Sequence, residues 1–321
     1  MNLETYFKPF RENIIGVNQE FESPYGKKKI IYADWTASGR LYGPIEEKLR
    51  NEIGPFVANT HTETSITGSA MTLAYHEARN IIKKHVNASK DDVLITVGTG
   101  MTGAINKFQR ILGLKVSENL KDHTQIPEAL KPIIFVSHME HHSNQTSWLE
   151  TIAKVEVIPC DSEGLICLES FKKLLEHYTN HPIKIAAITG CSNVTGIRTD
   201  YHQIARIIHQ NKGLCFVDFA CSAPYVAIDM HPENEDDYLD AITFSPHKFL
   251  GGPGSSGVLI FNKKLYKNVV PDNPGGGTVS YTNPWGNHDY IDDIETREDG
   301  GTPGFIQAIK IALSIRLKEQ M

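Results

Sequence analysis

The chain has 321 residues, 40% hydrophobic and 22% charged, which excludes the disordered, collagenous and fibrous classes and leaves an ordinary globular protein of one or two domains. Its 32 Lys and Arg against 38 Asp and Glu give a net charge of −6, which opposes attachment to phosphate backbones or anionic membranes, so neither nucleic acid nor membrane is an expected partner. No apolar run approaches the ~20 residues of a membrane span, and the start MNLETYFKPFREN lacks the apolar core of a secretory signal, so a cytoplasmic protein is expected.

Short apolar runs rich in β-branched residues alternate with helical stretches, the pattern of a mostly parallel sheet with crossover helices. Strands are predicted over residues 29–33, 93–97, 133–137, 154–158, 185–189, 213–217, 241–244 and 257–261. Helices are predicted over 44–51, 72–85, 102–112, 144–152, 168–177 and 201–210, the last opened by Asp200 as N-cap. Near residue 270 the sequence turns to VVPDNPGGGTVSYTNPWGNHDY, where Gly, Pro and Asn leave no periodic apolar face. An amphipathic helix over 305–319 then runs into the C-terminus without a capping glycine, so the chain is expected to stop short of a further domain. Cys160, Cys167, Cys191, Cys215 and Cys221 are odd in number and form no C-x-x-C pair, which suggests neither a disulfide framework nor a zinc ribbon.

Four segments carry candidate chemistry. In AITFSPHKFLGGPGSSGVLIF, Lys248 follows a strand and precedes a run of glycines. It reads either as a surface lysine before a turn or as a desolvated amine suited to covalent carbonyl chemistry on a closely approached cofactor. In GLCFVDFACSAPY, Asp218 ends an apolar strand, where a carboxylate is costly unless it caps a turn or meets a cationic partner such as a pyridinium nitrogen.

The third, DVLITVGTGMTGAINKF, spells G-x-G-x-x-G, yet the next strand ends in Ser137 and His138 rather than an acidic residue, which disfavours a nicotinamide-dependent oxidoreductase. Glycines before a helix still suit a phosphate, with Met101 and Thr102 as donors. In the fourth, FVSHMEHHSNQTSW, His138, His141 and His142 lack the carboxylate or cysteine that would complete a metal site, so no metal is expected; His141 reads better as an imidazole stacked on a cofactor ring, or as a plain loop histidine.

Together these segments resemble the class V aminotransferases, fold-type I enzymes that use pyridoxal 5′-phosphate (PLP), close to the cysteine desulfurases and selenocysteine lyases. The resemblance rests on YADWTASG, NTHTETSITG, GMTGAIN, MEHHSN, SNVTG, VDFA, SPHK and GGGTVS, which occur in the family's order. It implies a three-layer α/β/α large domain with a mostly parallel sheet over residues 29–295, after an N-terminal segment 1–28 and before the stub of a small α+β domain over 296–321. Lys248 would then form the Schiff base to PLP and shuttle the proton, Asp218 would hold the pyridinium, and His141 would stack on the ring. Asn193 would lie near the phenolic oxygen, with Met101, Thr102, Ser245 and His247 around the phosphate.

Thr278 would complete the phosphate cup of a neighbouring subunit, which implies a homodimer. Asn59 and His61 resemble the substrate-side loop. Two departures stand out: Cys221 occupies the place of a glutamine usual in desulfurases, and none of the five cysteines sits at the desulfurase nucleophile position. The expected function is thus a PLP-dependent transferase or lyase acting on an amino acid, as desulfurase, aminotransferase or epimerase. The alternative is a catalytically incomplete PLP-fold protein with a binding or scaffold role.

Overall fold

The computed structural model describes residues 2–60 and 64–321. Along the chain the elements are α1 (Leu3–Glu12), β1 (Glu20–Ser23), β2 (Gly26–Lys29), α2 (Gly43–Lys48), α3 (Ile66–His85), β3 (Asp92–Val97), α4 (Gly100–Ile111), β4 (Ile133–Ser137), α5 (His142–Leu149) and β5 (Lys154–Ile158). They continue as α6 (Leu168–His177), β6 (Lys184–Thr189), α7 (Tyr201–Gln210), β7 (Leu214–Asp218), β8 (Ala241–Phe244), β9 (Gly257–Asn262), β10 (Val279–Thr282), β11 (His288–Tyr290), α8 (Ile294–Arg297) and α9 (Phe305–Gln320). They form two compact units, one from Lys83–Ser245 and Gly257–Pro303, the other from Met1–Ile82, Pro246–Ser256 and Gly304–Met321.

The first unit is built on a seven-stranded sheet of order β3-β9-β8-β7-β6-β4-β5, in which β4 to β8 pair in parallel and β9 runs antiparallel to both its neighbours. Strands β4 and β6 are buried along their whole length, which is why IIFVS and KIAAIT read as continuous apolar runs. The edge strand β5 is only partly buried and keeps its charges. On one face α4 packs Met101, Ala104, Ile105, Phe108 and Ile111 against Val93, Ile95, Phe216, Leu259 and Phe261. Phe108, fully buried, contributes about 2–3 kcal/mol by transfer alone. Helix α7 carries its apolar stripe on Ile204, Ala205, Ile207 and Ile208 and starts where Asp200 accepts the Gln203 N–H at 3.3 Å.

In the second unit α9 is buried along most of its length. Phe305 and Ala308 pack on Met71 and Tyr75 of α3, while Leu317 meets Tyr42 and Ile45 around α2. The buried Lys310 pairs with the half-buried Glu46 at 2.6 Å.

The sequence expectation of a strand over 29–33 fails. Gly26, at φ +84°, closes a tight turn that pairs β2 with β1 in the register Ser23↔Gly26 to Glu20↔Lys29, and the chain leaves that hairpin before Ile31, which is 89% exposed. Helix α5 also starts earlier than expected, at His142 rather than Asn144, because His141 caps it. No described helix is long and apolar enough to cross a membrane.

Candidate active site

In a doubly wound sheet the loops at the carboxyl ends of parallel strands form the natural place for a ligand. In the sheet unit those ends carry most of the sequence-predicted residues. Asp218 is the last residue of β7, 5% exposed, and its Oδ1 accepts the Ala220 N–H at 2.8 Å, so the carboxylate is held at the strand end by its own turn. Its main-chain carbonyl accepts the Gly190 N–H at 2.8 Å, which ties the end of β7 to that of β6.

One strand over, buried Ser245 follows β8 and its Oγ accepts the Met101 N–H at 2.9 Å, which fixes the first turn of α4 against the end of β8. Gly100, at φ +60°, makes that turn possible, and β9 begins so close to it that a Cβ on Gly257 would lie 2.0 Å from the Gly100 carbonyl oxygen. The N-cap position, Thr99, gives no side-chain bond, so the N–H groups opening α4 depend on partners such as Ser245.

The exposed Thr102 hydroxyl donates to Ser143 Oγ at 2.9 Å, which connects α4 to the start of α5. There His141 is the N-cap, and its Nδ1 accepts the Ser143 N–H at 3.2 Å, which leaves the ring proton on Nε2. Beneath it Glu140 gathers contacts that sequence reasoning passed over: Oε1 accepts the Ser137 hydroxyl, the Ser137 N–H at 3.2 Å and the Thr189 N–H at 2.9 Å, and Oε2 accepts Asn144 Nδ2 at 2.7 Å. Burial raises the Glu140 carboxyl above its ordinary value against the pull of these bonds. Asn144 in turn accepts from Trp148 Nε1, so the loop carrying His141 is anchored to β4, β6 and α5. The only clue in the sequence is a carboxylate three residues beyond an apolar strand.

Asn193 is exposed in the turn after β6, where Ser192 Oγ accepts the N–H groups of Val194 and Thr195. Thr278 is fully buried, and its hydroxyl donates to the Gly275 carbonyl at 2.7 Å. Among the described residues no cluster of three metal-ligating side chains forms.

The other unit carries Lys248, half-buried at the end of the helical turn Pro246–Lys248 that follows β8 in the chain. The turn is held by the Gly39 N–H, which donates to the His247 carbonyl at 2.9 Å; a Cβ on Gly39 would lie 1.9 Å from the Phe249 oxygen. His247 is pushed below its ordinary value first by burial and then by the charge of Lys248, so it is neutral at pH 7. Asn59 is exposed, and His61 lies outside the described residues.

The chemistry of this donor set fits PLP. A buried carboxylate at a strand end suits a protonated ring nitrogen, a twelve-residue helix opening with Met101 and Thr102 suits a phosphate, and a lysine in a glycine-lined turn suits a covalent anchor.

The aminotransferase class-V family model matches residues 31–321. The chain belongs to the class V aminotransferase family, whose members are PLP-dependent enzymes. It is 30% identical over 303 residues to a probable cysteine desulfurase of Staphylococcus aureus, covering 92% of this chain and 67% of that protein, and 30% identical over 309 residues to one of Staphylococcus epidermidis. Among solved structures it is similar to the apo cysteine desulfurase of Thermococcus onnurineus, with TM-score 0.76, 23% identity and coverage of 97% of this chain and 70% of that one. It is also similar to the cysteine desulfurase CsdA of Escherichia coli, with TM-score 0.71, 23% identity and coverage of 97% and 71%. These structural likenesses carry the fold, a PLP fold-type I large domain.

Proposed function

We propose that this family member binds PLP through Lys248 and uses it to act on the α-amino group or side chain of an amino acid. When bound, PLP supplies an electron sink conjugated to the substrate nitrogen. Lys248 would hold the cofactor covalently through its ε-amino group and, once displaced by substrate, carry the α-proton. Asp218 would keep the ring nitrogen protonated, and the His141 imidazole would cover the ring, its orientation fixed by Ser143. Asn193 would reach the phenolic oxygen. Met101, Thr102, Ser245 and neutral His247 would hold the phosphate, and Asn59, with His61, would face the substrate.

Thr278 would serve the phosphate of a second subunit in a homodimer, its hydroxyl turning from Gly275 to do so. The names of the relatives make cysteine the first amino acid to test.

The observation that carries this reading is the buried Asp218 one strand from the Ser245–Met101 bond, a strand-end carboxylate beside a helix N-terminus that suits an anion. The test is the absorbance spectrum of the protein loaded with PLP, before and after borohydride, beside Lys248→Ala. A visible band that borohydride abolishes and the variant lacks is expected. No band after loading, or an equal band in the variant, overturns it.

A further inference from the structure

Two of the five thiols stand together at the carboxyl end of the sheet, and neither has a part in the reading above. Cys191 lies two residues beyond β6 and Cys221 three beyond β7, on parallel strands whose last residues, Thr189 and Asp218, are register partners. The Cys221 thiol donates to the carbonyl oxygen of Cys191 at 2.9 Å. The segments around them touch along their length: Gly190 donates its N–H to the Asp218 carbonyl, and a Cβ on Gly190 would lie 2.8 Å from the Phe219 ring and 3.5 Å from Ser222 Oγ. Both cysteines are half-buried, so a small oxidant can reach them, and among the described residues no disulfide is formed.

A disulfide needs Cα atoms about 4.4–6.8 Å apart and side chains that can turn towards each other. A thiol seated on the other cysteine's own carbonyl starts from neighbouring backbone; the Cys191 thiol faces the Ser192 carbonyl at 3.7 Å, so both side chains turn to form the bond. We infer that Cys191 and Cys221 form a reversible dithiol–disulfide pair, oxidised by small peroxides and reduced by thiols.

In the forward step one thiolate attacks the O–O bond of hydrogen peroxide, forms an S–O bond and expels hydroxide. The second thiolate then attacks that sulfur, the S–S bond forms, and the oxygen leaves as hydroxide. The two thiols give up two electrons and two protons, and the peroxide leaves as two waters. The closed bond ties the turn after Asp218 to the loop after β6 and breaks the Cys221–Cys191 carbonyl hydrogen bond. The turn that carries Cys221 is held by the N–H groups of Ser222 and Ala223, which both reach the Phe219 carbonyl.

The experiment treats the whole chain with hydrogen peroxide, blocks the remaining thiols with iodoacetamide and maps tryptic peptides without reduction. Trypsin releases Cys191 in the peptide 185–198 and Cys221 in 213–248, apart from Cys160 and Cys167 in 155–172. The expected result is a linked pair of 185–198 and 213–248 that dithiothreitol separates. The link should persist in Cys215→Ser and be lost in Cys191→Ser and in Cys221→Ser. Alkylation of both cysteines in the wild-type chain after peroxide overturns the inference, as does their conversion to unlinked sulfinic acids or a link that survives in Cys221→Ser. Peptide 213–248 also holds Cys215, so fragment ions of the wild-type linked pair, which separate Cys215 from Cys221, place the bond even if a serine variant fails to fold. Oxidation confined to Cys167, whose thiol is held below its ordinary value by the Ser170 hydroxyl, also overturns it.

Discussion

Glu140 shows how a single residue supports the site without belonging to any recognised motif role. Its Oε1 collects three donors from Ser137 and Thr189, and its Oε2 takes Asn144 Nδ2. A glutamine in its place can keep an oxygen towards the first group only by turning its own NH2 towards the Asn144 donor, so one buried donor is left facing another. Glu140→Gln is therefore expected to cost about 1–3 kcal/mol of stability and to loosen the His141 loop, read as a lower urea midpoint together with weaker PLP binding. An unchanged midpoint would show that Asn144 flips at no cost. Asp218, Lys248 and Met101 stand out in the sequence because each sits in a short contiguous motif whose residue types suggest a role. Glu140 was not, because its importance comes from partners on a second strand, Thr189 and Ala187 beside Asn144, which no local pattern records.

Among the elements, β4, β5, β8, α6 and α7 have the bounds their residue patterns predict, since an apolar run or an amphipathic stripe ends where a cap or a turn begins. The order of strands was not readable. That β9 slots antiparallel between β3 and β8 is set by long-range pairing, and its only local trace is the glycine at its start. Gly257 is required there because β9 begins against the Gly100 carbonyl, and backbone cannot move aside as a side chain can. Gly257→Ala is expected to cost ~3 kcal/mol and to displace the α4 N-terminus, so thermal stability and PLP affinity should fall together. A stability loss with affinity intact would mean that the helix start is not the phosphate site.

The same helix is held at its other end by a buried cluster in which Lys107 pairs with Glu298 at 2.7 Å, and Asp272 joins it to Arg110. Tyr266 donates to Glu298 at 2.7 Å, and burial followed by that carboxylate lifts its phenol well above the ordinary value. Lys107→Met strips the cation from this dry group and leaves carboxylates uncompensated, an expected loss of about 3–5 kcal/mol by urea unfolding. A variant as stable as the parent would show that Arg110 alone neutralises the cluster.

Across the whole chain, the unit that holds Lys248 is assembled from three stretches far apart in sequence. Its integrity rests on α9, and that helix carries a charge cost. Burial pushes Lys318 down to about 8, against the opposing pull of Glu319, and its ammonium lies 5.6 Å from the centre of the Phe249 ring, next in sequence to Lys248. A lysine whose folded value lies below its ordinary 10.5 binds fewer protons folded than unfolded between the two values, so stability rises with pH across that window and the cost is fully present below it.

Because Lys318 keeps partial access to water, the cost at pH 7 is about 1–2 kcal/mol rather than the full shift. Lys318→Met is expected to unfold at higher urea than the parent at pH 7, with the gap closing as pH approaches 10.5. A gap that stays constant with pH would assign the gain to packing on Phe249 alone, and no gap would mean that the ammonium of Lys318 is as well solvated in the fold as in the open chain.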